Sequence, residues 1–72
     1  MTTLQQLGKR IEYLRTLKGW SQLTLALEAN LNRNYLSDLE RGKRNPTIKV
    51  LEKLALALSV DLATLFKGIK AI

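Results

Sequence analysis

Five polar side chains between positions 33 and 41 have the types needed to read the edge of a base pair: Arg33, Asn34, Ser37, Asp38 and Arg41. Arginine carries a fork of donors that matches the two acceptors of guanine. Asparagine offers a donor and an acceptor that match adenine. Wound as a helix at about 100° per residue, with Arg33 at zero, Ser37 falls near 40°, Arg41 near 80°, Asn34 near 100° and Asp38 near 140°. Leu36 and Leu39 fall near about 300° and 240° on the same projection. One continuous polar arc therefore stands opposite two leucines fit for a core. An ordinary solvated helix face has the same make-up, so the arc alone leaves both readings open.

The elements that must hold this arc are short helices. Leu4, Leu7, Ile11, Leu14 and Leu17 recur every three or four residues and predict one apolar helix face, stopped by Gly19. Ser21 is a good N-cap for a second helix over Gln22 to Ala29. Asn30 tolerates the left-handed backbone of a tight turn. Asn32 can cap a third helix, Arg33 to Glu40, ending at Gly42. Asn45-Pro46 interrupts the chain, because the residue before proline avoids the helical region. Thr47 can cap a fourth helix with Ile48, Leu51, Leu54, Ala55 and Leu58 inward. Asp61 can cap a short fifth helix, Leu62 to about Phe66, closed by Gly68. No strand alternation, repeat or linker interrupts the pattern, so the expectation is a compact, five-helix, all-α domain over residues 1–72. Within it, helices two and three and the turn at Asn30-Leu31-Asn32 have the form of a helix-turn-helix, about residues 21–41.

Composition narrows the chemistry. The chain has 72 residues, 12 Lys and Arg against 6 Asp and Glu, and neither Cys nor His. One domain of this size is marginal unless disulfides, a metal or a partner chain support it. Disulfides and ordinary zinc sites need residues that are absent. No cofactor or metal is expected. General acid–base catalysis has no His to use, and the six carboxylates are scattered over helix faces, which argues against an enzyme. The hydrophobic fraction of 46% suits a folded chain. No apolar run approaches the roughly 18 residues of a membrane span. The N-terminus lacks the features of a secretory signal, so a cytoplasmic protein is expected. The net charge of +6 points to a polyanionic partner, either nucleic acid or an acidic membrane surface. The basic residues are not confined to one face of an amphipathic helix, which disfavours the membrane.

From Gly8 to Phe66 the sequence resembles the DNA-binding domains of the Cro and phage-repressor type, the xenobiotic-response-element helix-turn-helix family. The resemblance rests on Gly19-Trp20-Ser21-Gln22, Leu25-Ala26, Asn30-Leu31-Asn32 and Tyr35-Leu36-Ser37. It continues through Leu39-Glu40-Arg41-Gly42-Lys43-Arg44-Asn45-Pro46-Thr47 and from Leu54-Ala55 to Leu65-Phe66. It implies a lambda-repressor-like fold. It also implies base reading by Arg33, Asn34, Ser37 and Asp38, with Asp38 alternatively orienting Arg41 or Asn34. Gln22 matches a position that bonds a DNA phosphate, and Lys43, Arg44 and Asn45 follow the third helix where relatives track the phosphates. Arg41 joins that phosphate set. Tyr35 is placed either against sugar or a thymine methyl, or in half-buried packing. Arg15 and Glu40 match a structural ion pair, and Trp20 a core plug between the first two helices.

The same resemblance implies a homodimer on a palindromic operator of double-stranded DNA. The dimer seam would lie in residues 60–72, through Leu62, Leu65, Phe66, Ile69 and Ile72. Stand-alone members include restriction–modification controller proteins, phage Cro-like repressors and antitoxins. The Asn32-to-Ser37 and Arg41-to-Pro46 runs look most like the controller proteins, which regulate their own operons. RNA polymerase is a further expected partner, and no small-molecule ligand is expected because no second domain is seen to bind one. Leu23, Leu27 and Leu56 depart from the pattern as leucines where relatives often carry charge. They are candidates for extra packing or for an interface, which keeps an antitoxin-type module with a protein partner as the alternative.

Overall fold

The computed structural model describes residues 1–72 and contains five helices and no strand. The helices are α1 (Thr3–Leu17), α2 (Gln22–Ala29), α3 (Arg33–Glu40), α4 (Ile48–Leu58) and α5 (Leu62–Leu65). Each starts at a side-chain cap, because the first amides of a helix have no partner within it. Ser21, Asn32, Thr47 and Asp61 cap α2 to α5, as their types and positions predict. At α1, Thr2 and Gln5 form a reciprocal capping box, in which the Thr2 hydroxyl accepts from Gln5 N and the side-chain Oε1 of Gln5 accepts from Thr2 N.

Two of the helices end instead on a left-handed residue whose backbone N–H bonds the last turn. Asn30 closes α2 in the left-handed region at φ 53°, and Ser59 closes α4 at φ 59°. The first was legible from its side chain, which stabilises this conformation. Serine gives no such signal. The turn at Asn30–Asn32 sets α3 across α2, and α1 packs on α3 while α4 packs on α2.

Thirteen buried apolar residues from all five helices form one core, with Ile11, Leu25, Leu36, Leu39, Leu54 and Leu65 fully enclosed. Leu4, Leu17 and Ile48, expected inward, lie outside it, Leu4 only partly exposed. Leu17 and Ile48 are both 66% exposed. Both stand at helix ends, Leu17 as the last residue of α1 and Ile48 as the first of α4. Leu23, Leu27 and Leu56 supply no extra packing, being 52%, 72% and 80% exposed. Trp20 is half-buried against the core, with the Lys18 ammonium 4.9 Å above its ring.

Two close approaches bind α1 to the rest. Gly8 lies so near the end of α3 that a Cβ there would stand 2.3 Å from the Glu40 carbonyl oxygen. The C-terminal segment also returns to α1. Lys70 N donates to Gln6 Oε1 at 2.9 Å, and Gln6 Nε2 donates to the Lys70 backbone carbonyl at 3.1 Å. Ile72 N donates to Thr3 Oγ1 at 3.2 Å. No helix is long and apolar enough to cross a membrane.

Candidate nucleic-acid interface

The polar arc of α3 faces outward. Asn32 Oδ1 accepts from the amides of Asn34 and Tyr35 at 2.8 and 3.1 Å, which fixes the first turn of the helix. Arg33 and Asn34 are exposed, and Ser37 and Asp38 are partly exposed beside them. Leu36 and Leu39 point the other way, into the core. The side chains of Arg33, Asn34 and Ser37 make no bond to another helix, so their donors and acceptors remain open to a partner.

Asp38 is engaged. Its Oδ1 accepts from Arg41 Nη2 at 2.8 Å and its Oδ2 lies 3.5 Å from Arg44 Nη2. The hydrogen bond from Arg41 is the main reason its carboxyl titrates below the usual aspartate range, with both guanidinium charges adding to the effect. Of the two orienting partners considered for it, Arg41 is the one bonded, and Asn34 is not. The Arg44 guanidinium also sits 5.5 Å over the Tyr35 ring. Tyr35 is half-buried against the core, so that ring forms a shelf between interior and surface. Lys43, Arg44 and Asn45 are all exposed in the loop beyond Gly42. Their cations extend the basic surface past the end of α3.

Beneath the arc lies a polar junction of three helices. The Glu40 side chain is only 2% exposed, and it takes Arg15 Nε on Oε2 at 2.8 Å and Arg15 Nη2 on Oε1 at 3.0 Å. Arg15 Nη1 donates onward to the Trp20 carbonyl at 2.8 Å. The bond to Glu40 outweighs burial and raises the Arg15 pKa, so the guanidinium stays charged. Gln22 Nε2 completes the set, donating to Glu40 Oε1 at 2.9 Å. No buried side-chain polar atom in the protein is left without a partner.

An open cleft of about 480 Å³ joins this junction to the arc, lined by Gln22, Ser37, Glu40 and Arg41 and, from α1, by Gln5, Lys9 and Glu12. Gln5 and Lys9 were not singled out from the sequence. Their place at the cleft follows from the packing of α1 on α3, which local pattern does not reveal. No group of three metal-ligating side chains exists.

At the proposed dimer seam the five expected residues divide. Leu62 and Phe66 are each 38% exposed and Ile72 is 86% exposed, whereas Ile69 is half-buried against the core. Leu65 is fully enclosed in the monomer and cannot also face a second chain. It is the fourth residue of α5 and the one that turns inward, which is why the short helix docks at all.

Known proteins share this arrangement. Control protein C.BamHI of Bacillus amyloliquefaciens is 43% identical over 55 residues, covering 75% of this chain and 68% of its own length. The crystal structure of the restriction–modification controller protein C.AhdI from Aeromonas hydrophila superposes with a TM-score of 0.86. It is 44% identical and covers 88% of this chain and 96% of that one. A third structure, the controller protein C.Esp1396I as a tetramer on its natural 35 base-pair operator, gives a TM-score of 0.85 at 36% identity. It covers 96% of this chain and 91% of its own. Other curated relatives are longer, and the chain spans 40% of the length of a phage immunity repressor and of a Bacillus regulator. The relatives are transcriptional regulators, not enzymes. The helix-turn-helix family profile matches residues 11–65. By that match and by these relatives, the chain belongs to the helix-turn-helix family, of the xenobiotic-response-element type.

Proposed function

We propose that this protein is a sequence-specific DNA-binding transcriptional regulator that acts as a homodimer on a palindromic operator. Within that class it is a controller protein of a restriction–modification system, regulating the operon that encodes it. One observation carries the reading: α3 turns a free polar arc of Arg33, Asn34 and Ser37 to solvent, between the basic loop at Lys43 and Arg44 and the N-terminus of α2. That is the layout by which a recognition helix enters a major groove while flanking groups hold the phosphates.

In this reading Arg33 and Asn34 read bases, and Ser37 reads a base or a phosphate. Tyr35 lays its ring edge toward the sugar or a thymine methyl. Asp38 acts through Arg41 and Arg44, holding both cations close to the groove, in preference to bonding a base itself. Gln22, Arg41, Lys43, Arg44 and Asn45 contact phosphates. Leu62, Phe66, Ile69 and Ile72 form the two-fold seam, which places two α3 helices one DNA turn apart, about 34–36 Å. RNA polymerase is the further partner when the protein activates, and the cytoplasm, at the nucleoid, is where it works.

Selection of bound sequences from random duplex DNA tests this. The expected winner is a palindrome with half-sites one turn apart, whose affinity falls by about 10³–10⁵ between 50 and 200 mM salt if a dimer neutralises 6–10 phosphates. No enrichment over random DNA sinks the proposal. A second reading, an antitoxin-type module, draws on the exposure of Leu23, Leu27 and Leu56. A toxin gene beside this one would favour it, and a restriction endonuclease gene would favour the first.

A further inference from the structure

The junction beneath α3 does more than bury an ion pair. A glutamine side chain has a donor end and an acceptor end of almost equal size, and on a free surface it presents either. Gln22 is denied that choice. Its partner, Glu40, is an ionised carboxylate that can only accept, so the bonded atom must be Nε2. The opposite orientation would press the amide oxygen against a buried anion. Glu40 itself cannot turn aside, because Arg15 grips both of its oxygens and Trp20 in turn grips Arg15.

With one Nε2 hydrogen spent on Glu40, the other is free, and Gln22 makes no further side-chain bond. Gln22 lines the same open cleft as Ser37 and Arg41, the side on which DNA is proposed to lie.

We propose that Glu40 is a positioning residue for DNA recognition: it fixes the Gln22 amide with an N–H turned into the cleft, ready to donate to a backbone phosphate. The assignment rests on the DNA-binding reading above, and it gives a buried carboxylate at the floor of the cleft an indirect share in affinity, exerted through Gln22. A phosphate meets a donor already aligned, with no rotamer left to freeze. Because Gln22 is neutral, its contact releases no counterion, and its loss leaves the salt dependence of binding unchanged.

The test is a cycle of Gln22→Met, Glu40→Gln and the double variant, with duplex affinity measured where each is fully folded. Gln22→Met is expected to weaken operator and random duplex alike, by about tenfold per subunit, with an unaltered salt slope. Glu40→Gln gives Gln22 a partner that either donates or accepts, and a loss of about threefold to tenfold is expected. In the double variant Glu40→Gln should add nothing to Gln22→Met. Additive losses would make Glu40 merely structural and overturn the proposal, as would a Gln22→Met protein that binds like wild type.

Side-chain amide hydrogen exchange by NMR, on the free wild-type protein, gives a readout independent of DNA. One Gln22 amide hydrogen should exchange slowly while those of the exposed Gln5 exchange fast. Equal, fast exchange overturns the proposal even if Glu40→Gln does not fold. A wild-type protein that binds no duplex at low salt defeats the DNA-binding reading itself, an outcome distinct from additive losses in a protein that binds.

Discussion

Arg15 and Glu40 meet fork to fork, with the guanidinium of α1 closing on the carboxylate that ends α3 through bonds of 2.8 and 3.0 Å. The two side chains are 11% and 2% exposed, so neither charge has water to fall back on. Removing one partner strands the other, and breaking a buried pair in this way costs about 3–5 kcal/mol. Arg15→Ala is therefore expected to lose about 3–4 kcal/mol of stability in urea denaturation. For a 72-residue domain that approaches the whole margin. Its DNA affinity, corrected for the folded fraction, should fall far less than its stability. An Arg15→Ala protein with wild-type stability would contradict the pairing.

At Gly8 there is no room for a side chain. A methyl group there meets backbone, the Glu40 and Leu39 carbonyls, and not a side chain that could swing away. Gly8→Ala ought to cost about 1–3 kcal/mol or more, despite the better helix propensity of alanine. Thermal unfolding followed by circular dichroism measures it. A stabilised variant would mean that α1 does not lie this close to α3.

Ser59 offers the opposite sign. It holds a left-handed backbone that costs an ordinary residue about 1–2 kcal/mol, and glycine adopts it freely. After the greater entropy glycine loses on folding, Ser59→Gly should gain about 0.5–1 kcal/mol. The same change at Asn30 should be nearly neutral, because asparagine already tolerates this region. A calorimetric comparison of the two variants decides whether backbone strain, and not side-chain bonding, governs position 59.

Acid should weaken the protein through its one carboxylate cap. The Asp61 carboxylate accepts from Thr64 N at 2.7 Å, and that bond holds its pKa below the ordinary aspartate value. A carboxyl whose folded pKa is lowered contributes stability that is fully present above its unfolded pKa and is lost as pH falls through the folded one. Stability should thus be flat above about pH 5 and decline below about pH 4, Asp38 adding to the slope through Arg41. Asp61→Asn keeps a cap and removes the titration, so its stability should depend less on pH in that window. An identical acid slope in wild type and variant would exclude Asp61 as a contributor.

On the proposed DNA-binding reading, variants of Arg33 and Lys43 should separate reading from holding. Arg33→Ala is expected to lose about 1–3 kcal/mol on the operator and little on random duplex, relaxing one position of the site. Lys43→Ala should weaken both alike and lower the salt slope by about one per phosphate lost. Equal losses on both DNAs for both variants would defeat these roles.

Much of this architecture was legible because its signals are local. The apolar spacing and the four caps Ser21, Asn32, Thr47 and Asp61 mark the starts of helices two to five, and the arc of α3 follows from its period. Leu17 and Ile48 misled because periodicity assigns a face without saying whether the end of a helix is covered. Leu65 misled because a resemblance assigns a region to a seam without resolving which residues of a four-residue helix turn inward. The Gln22–Glu40 bond, the contact of Gly8 with α3 and the return of Lys70 to Gln6 link residues 18, 32 and 64 positions apart. Such relations exist only once tertiary packing has formed, so no window along the chain contains them.

Asn32 has a consequence for how the protein can change. A bare helix N-terminus attracts any anion through its backbone amides, whatever the sequence around it. At α3 the Asn32 side chain already occupies the amides of Asn34 and Tyr35, so that backbone end is stoppered. What α3 offers a groove is then carried by Arg33, Asn34 and Ser37, side chains that hold nothing else together. On the proposed DNA-binding reading, letters can be rewritten at those three positions while the page beneath them stays fixed, so a new operator preference would require no new scaffold.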